Sequence, residues 1–164
     1  AQKVVGYAGS LRALKAVPTL IDAARRLPEG WVLEVLGGTE SERAALHPLP
    51  PRIRLLGEVP HAAVPDLISR WHCAVVSLDD DLFGRHLSNP LKVWDYLAVG
   101  VPIVAPELPS LREVLDDRST WYIPGDSASL ADAIGRSPAR GVRLLRSWEQ
   151  RADELIEVLT EALG

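Results

Sequence analysis

Short runs of apolar residues alternate with amphipathic stretches along the whole chain. Six runs have the length and β-branched content of strands, and they lie at 3–8, 31–37, 52–57, 72–78, 101–105 and 120–124. Helical spacing of apolar residues fills the intervals, at 17–27, 41–47, 61–71, 90–99, 110–117, 127–136 and about 138–163. In the fourth run Ala74, Val75 and Val76 follow one another without alternation, which is typical of a strand covered on both faces. The pattern predicts a doubly wound α/β fold, with a mostly parallel six-stranded sheet and helices on both faces, in one domain over 1–164.

One of the predicted helices carries a cation at an unfavourable place. Ser88 or Asn89 can cap this helix, and Pro90 suits its first position. Lys92 then falls at about the third position, where the backbone N–H groups already supply positive charge and a cation is unfavourable by about 0.3–1 kcal/mol. A negative ligand at the helix start would explain this placement. A solvated lysine, or a surface pair between Lys92 and Asp95, explains it equally well.

The loop after the first strand is a second candidate for anion binding. Gly9 and Ser10 let the backbone approach a ligand, and Arg12 and Lys15 precede the next helix. Parallel strands end at one edge of a sheet, where such folds bind their ligands, so this loop and Lys92 are expected at the same edge. The chain has three lysines against fifteen arginines, and two of the three lie in these two loops. That coincidence favours a phosphate ligand, although the loop is neither a P-loop nor a G-x-G-x-x-G turn.

Composition and charge exclude several other classes of protein. The chain is 47% hydrophobic and 24% charged, as expected of a globular protein, and its net charge of −4 with no basic run argues against nucleic acid as a partner. No apolar run approaches the ~20 residues of a membrane span. Cys73 stands alone, which suits a reducing cytoplasm, and neither the acidic triplet 79–81 nor the four histidines have the spacing of a metal site. The sequence has no methionine, so residue 1 is not expected to be a natural start.

Two stretches resemble a known family. VVGYAGSLRALKAVPTLIDAARRLP (4–28) and SNPLKVWDYLAVGVPIVAPELPSLREVL (88–115) are similar to the carboxyl-terminal, donor-binding domain of GT-B glycosyltransferases of the group 1 or family 4 type. The second stretch is the more specific, because it is similar to the family's SPLKxxEYLAxGxPVVA. The resemblance implies a Rossmann-like half of a GT-B fold and a site for a nucleoside-diphosphate sugar.

The resemblance also implies roles for individual residues. Lys15 and Arg12 would hold the diphosphate and act in catalysis, while the ribose would be bound by Asp95 and the base by backbone between Gly57 and Val59. The remaining donor-binding residues would be Gly9, Ser10, Ser88, Asn89, Pro90, Leu91 and Lys92.

Three positions depart from the family's pattern. Ser10 stands where the family often has arginine, and Asp95 replaces the usual glutamate. Leu87 lies eight positions before Asp95, where many members carry a second carboxylate. The length departs as well, because a GT-B active site lies between two domains, and the last helix crosses back to the amino-terminal one. An acceptor-binding domain is therefore expected as a partner, in the same chain or another.

The function implied by the resemblance is donor binding in a retaining glycosyltransferase of polysaccharide or glycoconjugate biosynthesis. Neither a metal nor a cofactor is expected, the location would be cytoplasmic, and membrane contact would be peripheral at most. The isolated domain is expected to bind nucleotide weakly and to transfer nothing. The alternative is a non-catalytic binding or interaction module that kept the fold. A phospho-acceptor receiver domain does not fit, because the end of the first strand (7–10) lacks acidic residues.

Overall fold

The computed structural model describes residues 2–12, 15–145 and 147–163. Six parallel strands form a single sheet in the order β3-β2-β1-β4-β5-β6, which confirms the predicted fold class. The strands are β1 Lys3–Ala8, β2 Trp31–Leu36, β3 Ile53–Gly57, β4 Cys73–Val75, β5 Ile103–Pro106 and β6 Ser119–Tyr122. The α-helices are α1 Val17–Arg26, α2 Glu40–Ala44, α3 Val64–Ile68, α4 Leu91–Val99, α5 Pro109–Leu115, α6 Ser127–Arg136 and α7 Trp148–Leu163. Short 3₁₀ turns lie at His61–Ala63 and Asp116–Arg118, and a π turn at Phe83–Leu87.

The sheet is buried on both faces, as the continuous apolar runs predict. One face packs against α1 and α6 and the other against α3, α4 and α5. Val75 on β4 and Val104 on β5 are fully buried because helices cover both sides of these strands. The strand order reverses between β1 and β4, so a crevice opens at the carboxyl ends of these two strands.

The start of α4 differs from the prediction. Pro90 is the N-cap, with φ −67° and ψ 117°, and no side chain caps the helix. Neither Ser88 nor Asn89 takes that role, because Pro90 itself has extended backbone at ψ 117°, so the helix begins at Leu91, one residue later than predicted. Gly100 ends α4 in the left-handed region at φ 79°, as its position predicts. The first N–H groups of α4 are therefore available to a ligand.

The prediction of a helix from about 138 is wrong in its first third. The segment before α7 crosses α4 in a non-helical conformation, where the Leu144 N–H donates to Leu97 O at 2.9 Å and Arg143 Nε donates to Ala98 O at 3.1 Å. Gly141 lies so close to Val101 that an added Cβ would be 2.4 Å from its carbonyl carbon. A helix would use the Leu144 N–H internally and could not follow this path.

The last helix, α7, carries its apolar residues on the surface. Leu155, Ile156 and Leu159 are 50–60% exposed. The sequence pattern predicts an apolar stripe on this helix, and nothing among the described residues covers it; the side chain of Trp148, which belongs to the predicted stripe, is outside the described part.

Candidate functional site

Three glycines lie side by side where β1, β2 and β3 end. Gly9, Gly37 and Gly57 have φ of 142°, 106° and 73°. The strand ladder continues through them, since the Gly9 N–H donates to Leu36 O at 2.9 Å and the Gly37 N–H to Gly57 O at 2.7 Å. Gly37 also passes so close to Gly9 that an added Cβ would be 2.6 Å from Gly9 O. At the carboxyl ends of β1, β2 and β3 the surface is therefore formed by glycine backbone, which we call the glycine floor.

A cleft of about 450 Å³ lies above these glycines. It is lined by the ends of three strands and the start of α3, namely Ala8, Gly9, Leu36, Gly37, Glu58, Val59 and Val64. Two of the predicted donor-binding residues, Gly9 and Val59, lie in its wall, and Gly57 adjoins Glu58 in sequence. Its mostly apolar lining with few polar groups is typical of a small-molecule site.

Lys92 extends from α4 into the structure beside this cleft. Its Nζ is shielded from solvent, has no hydrogen-bond partner among the described residues, and lies 4.0 Å from the centre of the Tyr7 ring. An added Cβ on Gly9 would be 2.7 Å from this Nζ, so the glycine makes room for the amine. Both alternatives for Lys92 are thereby excluded: it is neither a solvated surface lysine nor the ion-pair partner of Asp95.

The buried amine of Lys92 has an unusual proton affinity. Burial, and then the nearby charge of Lys15, lower the pKa of Lys92 from the ordinary 10.5 to about 7. The contact with the Tyr7 ring compensates only part of the lost hydration, because a cation–π contact is worth about 2 kcal/mol when desolvated. The Tyr7 hydroxyl in turn donates to Ser10 O at 2.7 Å, which fixes the ring. An anion beside Lys92 would restore its charged state.

Lys15 lies close enough to Lys92 for its charge to act on that amine. The Nζ of Lys15 is 5.4 Å from the centre of the Phe83 ring. The two lysines, distant in sequence, are thus brought together at the edge of the sheet, as expected from the strand ends. Next to Lys15, Ala16 adopts a left-handed conformation at φ 46°, and its carbonyl accepts a hydrogen bond from Ser77 Oγ at 3.2 Å. That bond ties the loop to the chain just beyond β4.

Arg12 makes a contact that the sequence does not predict. Its Nε lies 3.6 Å from Glu42 Oε1 on α2, and its side chain is 79% exposed. Glu42 also accepts from the N–H groups of Thr39 at 3.0 Å and Leu11 at 3.4 Å. The Thr39 hydrogen bond is the main reason why the pKa of Glu42 is lowered, with Leu11 and Arg12 adding to it. Residues 13 and 14, in the same loop, are outside the described part.

The other predicted residues surround the start of α4. Ser88 and Pro90 are buried, whereas Asn89, Leu91 and Asp95 are exposed. The exposed carboxylate of Asp95 is one turn from Lys92 along the surface of α4.

The acidic triplet after β4 has structural partners. Asp80 pairs with Arg85, whose Nη2 donates at 2.9 Å, and Asp81 accepts from the Gly84 N–H at 2.7 Å. Among the described residues no group of three His, Cys, Asp or Glu side chains could hold a metal ion. None of the helices in the described part is long and apolar enough to span a bilayer.

Sequence reasoning missed Tyr7, Phe83 and Glu42. Tyr7 precedes Gly9 by two residues on β1, which is the only signal that could have indicated its proximity. The other two depend on how the loops pack.

The matching family model is that of the glycosyl transferases group 1, and it covers residues 2–137. The chain belongs to this family. The domain is of the carboxyl-terminal type of a GT-B glycosyltransferase, which confirms the resemblance found in the sequence.

Individual relatives agree with this assignment. A curated D-inositol 3-phosphate glycosyltransferase of Xylanimonas cellulosilytica is 27% identical over 95% of this chain, which spans only 42% of that relative. The structure of Anabaena HepE in complex with UDP-glucose matches with a TM-score of 0.68 at 20% identity, over 82% of this chain and 38% of HepE. Sucrose-phosphate synthase of Thermosynechococcus elongatus matches with a TM-score of 0.69 at 22% identity, over 82% of this chain and 36% of the synthase. These two solved structures show the fold.

Proposed function

We propose that this group 1 glycosyltransferase domain binds the nucleoside-diphosphate sugar donor of a retaining glycosyltransferase. The observation that carries the proposal is the buried Nζ of Lys92, which lies near Lys15 at the uncapped start of α4 and has no hydrogen-bond partner in the described part of the chain. A buried amine without a partner is costly, and a diphosphate would supply the missing negative charge. The nine residues of α4 give its start an anion-attracting dipole as well.

The chemistry assigned to this site is electrostatic. When the bond between the sugar and the diphosphate breaks, negative charge develops on the leaving phosphate oxygens. Lys15, Lys92 and the first N–H groups of α4 would stabilise that charge, while Arg12 would need to leave Glu42 in order to join them. The base would lie in the cleft at Val59, and Asp95 would bind the ribose hydroxyls.

Transfer to an acceptor requires a second domain in this proposal. The chain spans 42% of the curated relative, and the exposed apolar face of α7 is consistent with a missing neighbour. We therefore expect nucleotide binding, without sugar transfer, from this chain alone. The sugar acceptor would be bound by an amino-terminal domain.

Titration with UDP, GDP and ADP tests the donor site. Lys92→Met and Lys15→Met should each weaken the best-bound nucleotide about tenfold to hundredfold, because each removes a charge-assisted contact to phosphate. The third lysine provides a matched control, since Lys3 lies 5.2 Å from the centre of the Trp31 ring at the opposite end of β1. Lys3→Met should leave binding within twofold. Equal losses in all three variants, measured by calorimetry, would contradict the proposal.

Proton uptake on binding provides a second test. At pH 8 a Lys92 with a pKa of about 7 is mostly neutral, whereas a nucleotide whose last phosphate titrates near pH 6 is fully ionised. Binding should therefore take up nearly one proton per nucleotide, as measured by calorimetry in buffers of different ionisation enthalpy. Lys92→Arg is the control, because a guanidinium is always charged and has no proton to gain. Uptake that persists in Lys92→Arg would assign the proton to another group.

A non-catalytic binding module is the second candidate function. Leu87 is 67% exposed at the position where many family members carry a carboxylate, so this side of the site lacks that polar group. Absence of binding to all three nucleotides would favour this candidate over donor binding.

A further inference from the structure

Among the described residues that line the cleft at the ends of β1, β2 and β3, one has a charged side chain. Leu36, Val59 and Val64 supply flat apolar surface, and the glycines supply backbone. Glu58 is the exception: it lines the cleft, and its side chain is exposed. Such an arrangement holds a planar ring by its faces and leaves the edge of the ring to be read by the carboxylate.

Glu58 is available for this contact. The side chain is exposed, and it forms no ion pair or hydrogen bond among the described residues. Arg43 lies nearby on α2, where its guanidinium covers Gly57; an added Cβ on Gly57 would be 3.3 Å from Arg43 Nη1. Arg43 donates to Gly38 O with this nitrogen and retains further N–H groups. Arg43 thus lies against the residue before Glu58, while Glu58 keeps both carboxylate oxygens available among the described residues.

The common bases differ in the hydrogen-bond donors and acceptors that they would present to Glu58. An ionised carboxylate only accepts hydrogen bonds, so it requires donors on the ligand. Guanine offers two adjacent donors, N1–H and the 2-amino group, next to the acceptor O6. Uracil offers one N–H between two carbonyl oxygens, and adenine one amino group between ring nitrogens. Among these three bases, only guanine can donate to both oxygens of Glu58.

We propose that Glu58 makes this cleft select guanine, so that the donor is a guanosine diphosphate sugar. The inference rests on the proposed function, because it assumes that the cleft holds the base of a nucleotide. A carboxylate that accepts two hydrogen bonds from its ligand disfavours ligands without two such donors, since a carboxylate oxygen then faces an acceptor atom of the base.

Four nucleotides and two variants test the selectivity. Calorimetric titration should give GDP binding about tenfold to hundredfold tighter than UDP or ADP, the range of a good bidentate base contact. Inosine diphosphate differs from GDP only by the missing 2-amino group, and it should bind about tenfold more weakly than GDP. In Glu58→Gln the ratio of GDP to inosine diphosphate affinity should fall to within twofold. Glu29→Gln, an exposed glutamate before β2 at the opposite end of the sheet, should leave the ratio unchanged.

The outcomes separate this inference from the proposed function. Tighter binding of UDP or ADP than of GDP, or a GDP-to-inosine-diphosphate ratio that Glu58→Gln does not change, overturns the guanine assignment and leaves donor binding intact. Failure of all four nucleotides to bind the unmodified chain overturns both. Thermal melting of each variant checks that it is folded, so that a loss of binding is not mistaken for unfolding.

Discussion

Lys92→Met is expected to make the ligand-free chain more stable at pH 6, by about 2–4 kcal/mol in the free energy of unfolding, because each unit of lowered pKa corresponds to about 1.4 kcal/mol. At that pH the native state must hold a mostly charged ammonium away from water and without a partner. Methionine has a similar length and shape and no charge, so it removes this cost and keeps the contact with Tyr7. A substitution that weakens nucleotide binding should thus stabilise the ligand-free chain.

The sign of the pH dependence follows from the lowered pKa of Lys92. Below pH 7 the lysine is protonated in both states, and the native state carries the full cost of the buried charge. Between about 7 and the ordinary 10.5, the unfolded chain binds a proton that the native state lacks, so the stability of the unmodified chain rises with pH. Above that range the amine is neutral in both states. The advantage of Lys92→Met should therefore shrink steadily between pH 7 and 10.

Urea denaturation at pH 6, 8 and 10 measures this difference, and Lys3→Met serves as its control. Lys3 lies at the other end of β1 from the candidate site, and Lys3→Met should change the free energy of unfolding by less than about 0.5 kcal/mol at any pH. A saturating nucleotide should reduce the advantage of Lys92→Met by about 1.4–2.7 kcal/mol, because it binds the unmodified chain tenfold to hundredfold more tightly and stabilises it more. An Lys92→Met variant less stable than the unmodified chain at pH 6 would show that the ammonium is hydrated in the native state.

The sheet and most helices were predictable because burial requires apolar residues at regular positions in the sequence. A central parallel strand needs apolar residues on both faces, so Val104 and its neighbours form an uninterrupted run. The end of α4 was equally clear, since Gly100 is suited to the left-handed conformation there. Signals of this kind act within a few residues, and they need no knowledge of the tertiary fold.

The wrong prediction for the segment before α7 concerns a structure that depends on contacts between distant residues. The segment before α7 contains Leu144 and Leu145 of the predicted apolar stripe, yet the Leu144 N–H donates to Leu97 O on α4. Nothing in its own sequence indicates that partner. The predicted start of α4 was one residue too early, because Pro90 has the φ of a first helical residue but an extended ψ, and so takes the cap position itself.

In the candidate site, too, the sequence predicted the features that follow from strand direction and missed those that depend on tertiary contacts. The sequence indicated that Lys15 and Lys92 would lie at one edge, because the edge follows from strand direction. It did not indicate that the amine of Lys92 is buried, since that requires the Tyr7 ring on one side and the open space of Gly9 on the other. The pairing of Arg12 with Glu42 was likewise hidden, because it depends on where α2 lies relative to β1.

Gly37→Ala is expected to destabilise the chain by about 3–4 kcal/mol and to abolish nucleotide binding. The residue has φ 106°, which L side chains rarely adopt, and an added Cβ would lie 2.6 Å from Gly9 O. The left-handed region alone costs about 1–2 kcal/mol for a residue other than glycine. The rest of the loss arises because the clash is with backbone, which cannot rotate away as a side chain would. Relieving it displaces Gly9, and with it the space that Lys92 occupies.

Gly30→Ala is the matched control for this loss. Gly30 also has a positive φ, 83°, but an added Cβ there would meet no atom within 4 Å. It should cost about 1–2 kcal/mol, the conformational part alone, and leave nucleotide affinity within twofold. Urea denaturation and calorimetric titration of both variants therefore separate backbone strain from the close approach of two strand ends. Equal losses of stability would mean that Gly9 and Gly37 can move apart freely, and the glycine floor would then contribute nothing to the placement of Lys92.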